Sequence, residues 1–315
     1  TQKYTNVHYY RAGFNYRPDS TSTLGLQYNG FYNQRNDRSD NNNSILMNTE
    51  EQYKLSTGTD NKPTLLNNAV NANYSKKYDT LGTELFIAAQ YGVFNIHNVA
   101  NIHQQTSYSG SITNEEKRNA NRNDINILSA QVDFTKAFNK QWRLESGVKE
   151  SNIGKTSDIK FENQNGKGEW VSDPNYLNGF SFVENIVAAY SELRFNKNKV
   201  NTRIGARSEL TKSDGFSKVL NKNIINRQYI NIFPSAFFGY DFTKDLTTSF
   251  TFSSRINRPT YQDLDPFINY IDSLTSFRGN PYLLPEYTYS LEGALVYMKE
   301  ANITFGYNRT NGAMR

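Results

Sequence analysis

The sequence predicts an all-β protein, an antiparallel up-and-down transmembrane β-barrel segment of about twelve strands. Three observations predict it. The 315-residue chain is only 37% hydrophobic, yet its 22 Tyr, 20 Phe and 2 Trp supply ample surface to bury, so low hydropathy here does not mean disorder. Apolar residues recur with a period of two, which puts successive side chains on opposite faces of a strand. The connections, finally, are short and long in strict alternation.

Strands are expected near 6–17, 22–33, 66–75, 84–95, 124–134, 141–150, 180–195, 200–210, 230–242, 246–255, 287–298 and 301–310. The pattern is clearest toward the end of the chain. Leu246, Thr248, Phe250 and Phe252 share one face, while Thr247, Ser249, Thr251 and Ser253 share the other. Tyr287, Tyr289, Leu291, Leu295 and Tyr297 alternate with Thr288, Ser290 and Glu292. Ile303, Phe305 and Tyr307 alternate with Asn302, Thr304, Gly306 and Asn308. Earlier, Trp142, Leu144 and Val148 face away from Arg143, Glu145 and Lys149, and Ile204 and Ala206 oppose Arg203, Arg207 and Glu209. The segments 84–96 and 180–195 are apolar on both faces for part of their length. Helix is nearly absent.

Tight connections are expected at 18–21, 76–80, 135–140, 196–199, 243–245 and 299–300, and long polar ones at 34–65, 97–123, 151–179, 211–229 and 256–286. In an up-and-down sheet, alternate connections emerge at opposite ends. One end then carries only tight turns and the other only long loops, which is the sorting of a transmembrane barrel. Aromatics gather at the tight-turn end: Phe134, Phe138, Trp142, Phe195, Tyr240, Phe242 and Tyr297. Such rings mark the boundary between headgroups and hydrocarbon. The strand lengths suit tilted spans of ~9–11 residues.

If the apolar faces meet lipid, Arg143, Glu145, Lys149, Arg203, Arg207, Glu209 and Glu292 point into the lumen. An Arg or Lys on the lipid face at midplane would cost roughly 2–4 kcal/mol. These charges either hold an interior domain in place or line a solute path.

Other chemistries are poorly served. No stretch approaches the ~20 apolar residues of a membrane-spanning helix. The absence of cysteine excludes a disulfide scaffold, a thiolate metal site and a cysteine nucleophile. A net charge of +5, scattered along the chain, does not make a nucleic-acid surface. His97 and His103 match no zinc spacing, and Gly166-Lys167-Gly168 lacks the rest of a phosphate cradle. Asp37, Asp40 and the run 41–43 read as a solvated loop tip rather than a calcium site. Asn73 and Asn302 fit a glycosylation pattern but lie in expected strands. No enzyme activity and no cofactor is expected.

One segment carries a specific resemblance. Ser254-Arg255-Ile256-Asn257-Arg258-Pro259-Thr260-Tyr261-Gln262-Asp263-Leu264-Asp265-Pro266-Phe267 is followed, after a short gap, by Arg278-Gly279-Asn280-Pro281-Tyr282-Leu283-Leu284-Pro285-Glu286. This resembles the signature of TonB-dependent-receptor-like outer-membrane barrels, with every element present and in order over about residues 246–310. Pro259, Pro266, Pro281 and Pro285 cannot donate to a sheet ladder, so the segment must leave the sheet. A stiffened loop packed by Tyr261, Leu264, Phe267, Ile268, Tyr270 and Ile271 is expected. It either caps the barrel mouth or offers Arg255, Arg258 and Tyr261 to solute.

The resemblance implies a location in the cell outer membrane, in contact with its lipid. It also implies a plug domain inside the barrel and an inner-membrane energy-transducing complex as partner. The activity implied is energised uptake of a scarce solute: a metal chelate, an oligosaccharide or a peptide. The rival expectation is a structural or adhesive outer-membrane barrel that binds partner proteins without transport. Residues 1–315 are expected to form a single β-barrel domain, a fragment of about half such a barrel. The plug, the short partner-engaging box and the terminal strands find no counterpart in the sequence.

Overall fold

Short side chains close the tight turns. Asp19 accepts the backbone N–H groups of Thr21 and Ser22, and Asp79 those of Leu81, Gly82 and Thr83. Asn139 accepts from Gln141 and Trp142, and the Thr243 hydroxyl accepts from Asp245 and Leu246. Such local bonds mimic a backbone turn and fix where each strand reverses.

Between the turns, the computed structural model describes residues 2–47, 50–173, 178–266, 268–270, 276–298 and 300–312. Its strands are β1 (Gln2–Tyr16), β2 (Ser22–Met47), β3 (Glu50–Asn61), β4 (Thr64–Lys77), β5 (Glu84–Tyr108), β6 (Ser111–Ala137), β7 (Trp142–Gln164) and β8 (Trp170–Ser172). They continue with β9 (Asn178–Lys197), β10 (Val200–Ser217), β11 (Lys222–Asp241), β12 (Leu246–Asn257), β13 (Ile268–Tyr270), β14 (Ser276–Arg278), β15 (Glu286–Tyr297) and β16 (Ala301–Asn311). One helical turn, α1 (Tyr261–Leu264), precedes β13. All but β13 and β14 join one antiparallel sheet of 14 strands.

All twelve expected strands have a counterpart, and the apparent surplus has a simple cause. β3 and β4 form one long strand interrupted at Pro63. On β2, Asp37 faces Asn61 and Gln34 faces Thr64, so the register carries straight through the break. Pro63 has no N–H to give, but its carbonyl still accepts from Arg35, and Lys62 still donates to Val99, both at 3.0 Å.

The expected long loops at 34–65, 97–123, 151–179 and 211–229 are instead mostly strand. β5 runs for 25 residues and β6 for 27, far beyond a membrane span. Their outer halves are polar on both faces, which in sequence looks like loop. In the fold the ladder satisfies their backbone, and on the polar face Ile102 and Gln104 are buried. Ser109 and Gly110 close β5 onto β6 with both φ positive, at 48° and 81°, as a two-residue type I′ turn requires. The run 41–43 and Asp40 therefore sit inside β2, not at a loop tip. The connection from β12 to β15, by contrast, remains a long loop. Phe267 and Ile271 of that loop lie outside the described residues, as do Lys299 of the last tight turn and the side chains of Ile268 and Tyr270.

Register sorts the side chains into two faces. Leu144, Leu193, Ile204, Ala236, Phe252, Leu291 and Tyr307 are neighbours in one row across seven strands. The adjacent row points the other way and reads Glu145, Glu192, Gly205, Ser235, Ser253, Ser290 and Asn308. The apolar face is bare: Ile204 is 62% exposed, Ile232 69% and Ile303 71%. Aromatics edge it at the tight-turn end, with Trp142 and Phe195 ring centroids 4.5 Å apart and Tyr240 and Phe242 4.9 Å apart. Burial is instead concentrated on the polar face, where Phe180, Phe182, Ile225 and Leu264 form a cluster with Ile224, Tyr261 and Leu283 against it.

Candidate functional site

That cluster exists because the β12–β15 loop folds back over the polar face. Thr260 and Asp263 form a capping box, which satisfies the first N–H groups of α1 and aims Tyr261 and Leu264 at the sheet. Leu264 fills the apolar pocket. Next to it the Lys155 ammonium sits 3.4 Å from the centroid of the Tyr261 ring. Asn178 donates to Asp265 at 3.4 Å. Farther along, the Arg227 guanidinium binds the carbonyls of Leu283 and Pro281. Gly279 makes the tight return feasible: a Cβ there would lie within 2.5–2.6 Å of the carbonyl oxygens of Asp265, Asp263 and Gln262.

Arg258 is the principal anchor. It donates to Glu209 at 2.6 Å and to the Thr211 hydroxyl at 2.9 Å, with Glu209 and Thr211 both buried. Glu209 also accepts from Arg207 at 2.7 Å, so the one carboxylate gathers two guanidinium groups. Lys155 has no such carboxylate in ion-pair contact among the described residues. Burial pushes its pKa down to about 8, with the charge of Asp265 pulling it partway back up.

The seven charged residues expected in the lumen do share one face. Arg143, Arg203 and Glu292 fall in one row with Arg194, Phe237 and Thr251 between them. Glu145 pairs with Arg194 at 2.7 Å, Arg207 pairs with Glu209, and Arg203 lies over the Phe237 ring at 4.4 Å. Glu292 is exposed opposite Thr251 and Gly306. Lys149 lies on the same face and makes no ion pair among the described residues. Of the three loop-motif residues, Arg258 and Tyr261 hold the loop down, while Arg255 is exposed on the polar face opposite Thr288.

Sequence reasoning missed Lys155, Asn178 and Arg227, because all three stand in strand extensions that looked like loop. It also missed Arg194, Glu192, Tyr190 and Asp133, the last two hydrogen-bonded to each other. Those on β9 were obscured by apolar residues on both of its faces. The two expected histidines stand on β5, where His103 contacts Glu116. Among the described residues no group of three His, Asp or Glu side chains converges as a metal site would require. What the arrangement offers is a wall: apolar outside, polar inside, with one loop locked across the polar side.

A family model described as "Outer membrane protein beta-barrel family" matches residues 76–315. Among solved structures, the chain is similar to BauA, the ferric preacinetobactin receptor from Acinetobacter baumannii, at 10% identity and a TM-score of 0.49. That match covers 98% of this chain and 53% of the other. It is also similar to FyuA, the ferric yersiniabactin uptake receptor from Yersinia pestis, at 11% identity and a TM-score of 0.40, over 96% of this chain and 54% of the other. The chain thus spans about half the length of these structures. No curated protein matches it in sequence.

Proposed function

The chain belongs to the outer membrane protein β-barrel family, and from that premise we propose that it is part of the barrel wall of an energised uptake receptor. Its place is the cell outer membrane, with the bare apolar face against lipid. In this reading the wall is completed by further strands at β1 and β16, each of which pairs on one side only. A plug domain stands against the polar face, and an inner-membrane energy-transducing complex moves it. Solute, whether metal chelate, oligosaccharide or peptide, is captured by the long hairpin ends and passes along the polar face. No bond is made or broken.

The observation that carries the proposal is the loop spanning 258–285. It holds the receptor-like motif, and through Arg258, Tyr261, Leu264 and Leu283 it folds onto the polar face. A purely structural wall has no need of a plugged, guarded interior. Uptake assays on cells with and without the gene test the reading, using labelled chelates, oligosaccharides and peptides, each with and without an uncoupler. Loss of uptake of one class in the deletion, with the same loss on uncoupling, is expected. Unchanged uptake of all three, accompanied by lost attachment to surfaces or partner proteins, would favour a structural or adhesive barrel instead.

A further inference from the structure

Three arginines stand side by side where the polar face meets the tight turns. Arg143 on β7 is the register partner of Arg194 on β9, which is the register partner of Arg203 on β10. Like charges directly opposite one another on neighbouring strands destabilise a sheet. A fold that keeps three in a row is holding repulsion that an anion would relieve.

The local acids relieve it only at the middle arginine. Glu145 and Glu192 both bind Arg194, at 2.7 and 2.6 Å. Arg143 and Arg203 have no carboxylate in ion-pair contact among the described residues, and the row is flanked by Ala137 and Phe237. Each free guanidinium is nevertheless positioned. Arg203 lays its face on the Phe237 ring, which leaves its in-plane N–H groups open. Arg143 runs beneath the β4–β5 turn, where Gly82 has a φ of 100° and a Cβ would come within 3.0 Å of its Nη2. Between them opens a cavity of about 350 Å³, lined by Lys140, Arg143, Arg194 and Arg203 together with the amides of Asn196 and Asn201, and by no Asp or Glu.

We propose that this cavity binds a small polyvalent oxyanion, a solute group bearing phosphate or several carboxylates. Planar guanidinium forks match such groups bidentately, and the flanking amides add neutral donors. The volume suits a group the size of a diphosphate or tricarboxylate. The proposal goes beyond the uptake reading and does not depend on it, since anion binding can be measured whether or not the protein transports.

Titration calorimetry of the full-length protein in detergent micelles at low salt tests it, with inorganic pyrophosphate and tricarballylate as probes. Binding of one or both is expected, and a preference identifies the oxyanion. Arg143→Gln and Arg203→Gln should each weaken it by about tenfold or more, while the exposed-turn change Lys244→Gln leaves it unchanged. The two arginine variants should also unfold at the same temperature as the parent or a higher one, because each removes repulsion. Failure of the folded parent to bind either probe would overturn the proposal. So would equal weakening by Lys244→Gln and Arg203→Gln, which would signal diffuse charge attraction.

Discussion

Arg258 ties the inward-folded loop to the sheet through a carboxylate and a hydroxyl that are themselves buried. Removing one member of such a pair leaves an under-compensated charge behind. Arg258→Ala should therefore release the loop, costing about 3 kcal/mol of docking, the low end for a buried pair because Glu209 keeps Arg207. Faster hydrogen exchange over 258–266 and 278–285, with exchange in β9 and β10 unchanged, is the expected readout. Gly279→Ala should loosen the same segment for a steric reason, since its Cβ has no space among three carbonyls. Lys155 adds a pH dependence. With the loop docked its pKa is about 8; released, it returns toward the ordinary lysine value of 10.5. Between those values the released state holds more protons, so docking tightens as pH rises through that window. Below pH 8 the lysine is charged in both states and docking bears the full cost of burying it. A nitroxide on Tyr282→Cys, at a position 80% exposed, should lose mobility from pH 7 to pH 10. The added change Lys155→Met should abolish that trend; a trend that survives it belongs to another group.

The strand is the element whose two faces do the sorting. Ile232 and Ser235 lie three residues apart on β11 and on opposite faces, with Ile232 bare and Ser235 between Gly205 and Ser253. Ile232→Arg should lower stability in lipid by roughly 2–4 kcal/mol, whereas Ser235→Arg should cost far less. Denaturant titrations in bilayers compare them, and equal costs would mean that the apolar face does not meet hydrocarbon. This level was the most legible in the sequence. A period of two marked the faces of β10, β12, β15 and β16, and the alternating connection lengths showed which ends carry tight turns, with the aromatics in agreement. The polar extensions were not legible, because Asn, Ser, Thr and Gln on both faces carry no periodicity, and only cross-strand pairing makes them strand. The loop could be seen to leave the sheet from its prolines. Its landing place could not, since the contacts of Arg258 with Glu209 and of Tyr261 with Lys155 join residues far apart in sequence.

At the scale of the whole molecule, twelve consecutive antiparallel strands make a wall with tight turns at one end and long hairpins at the other. β3 and β4 count as a single strand in that tally, and the short β8 only extends the edge of β7. The same wall has one bare apolar face and one polar face, which the proposed uptake reading sets against lipid and against the barrel interior. In the proposed reading the tight turns face the periplasm and the hairpin tips face outward. Single cysteines at Asn42, Asn165 and Lys244 of the full-length protein test that orientation directly, using a thiol reagent that does not cross the membrane, added to intact cells. The account predicts labelling at Asn42 and Asn165 and none at Lys244 until the cells are broken. Equal labelling at all three sites, with a protein that is soluble without detergent, would contradict it.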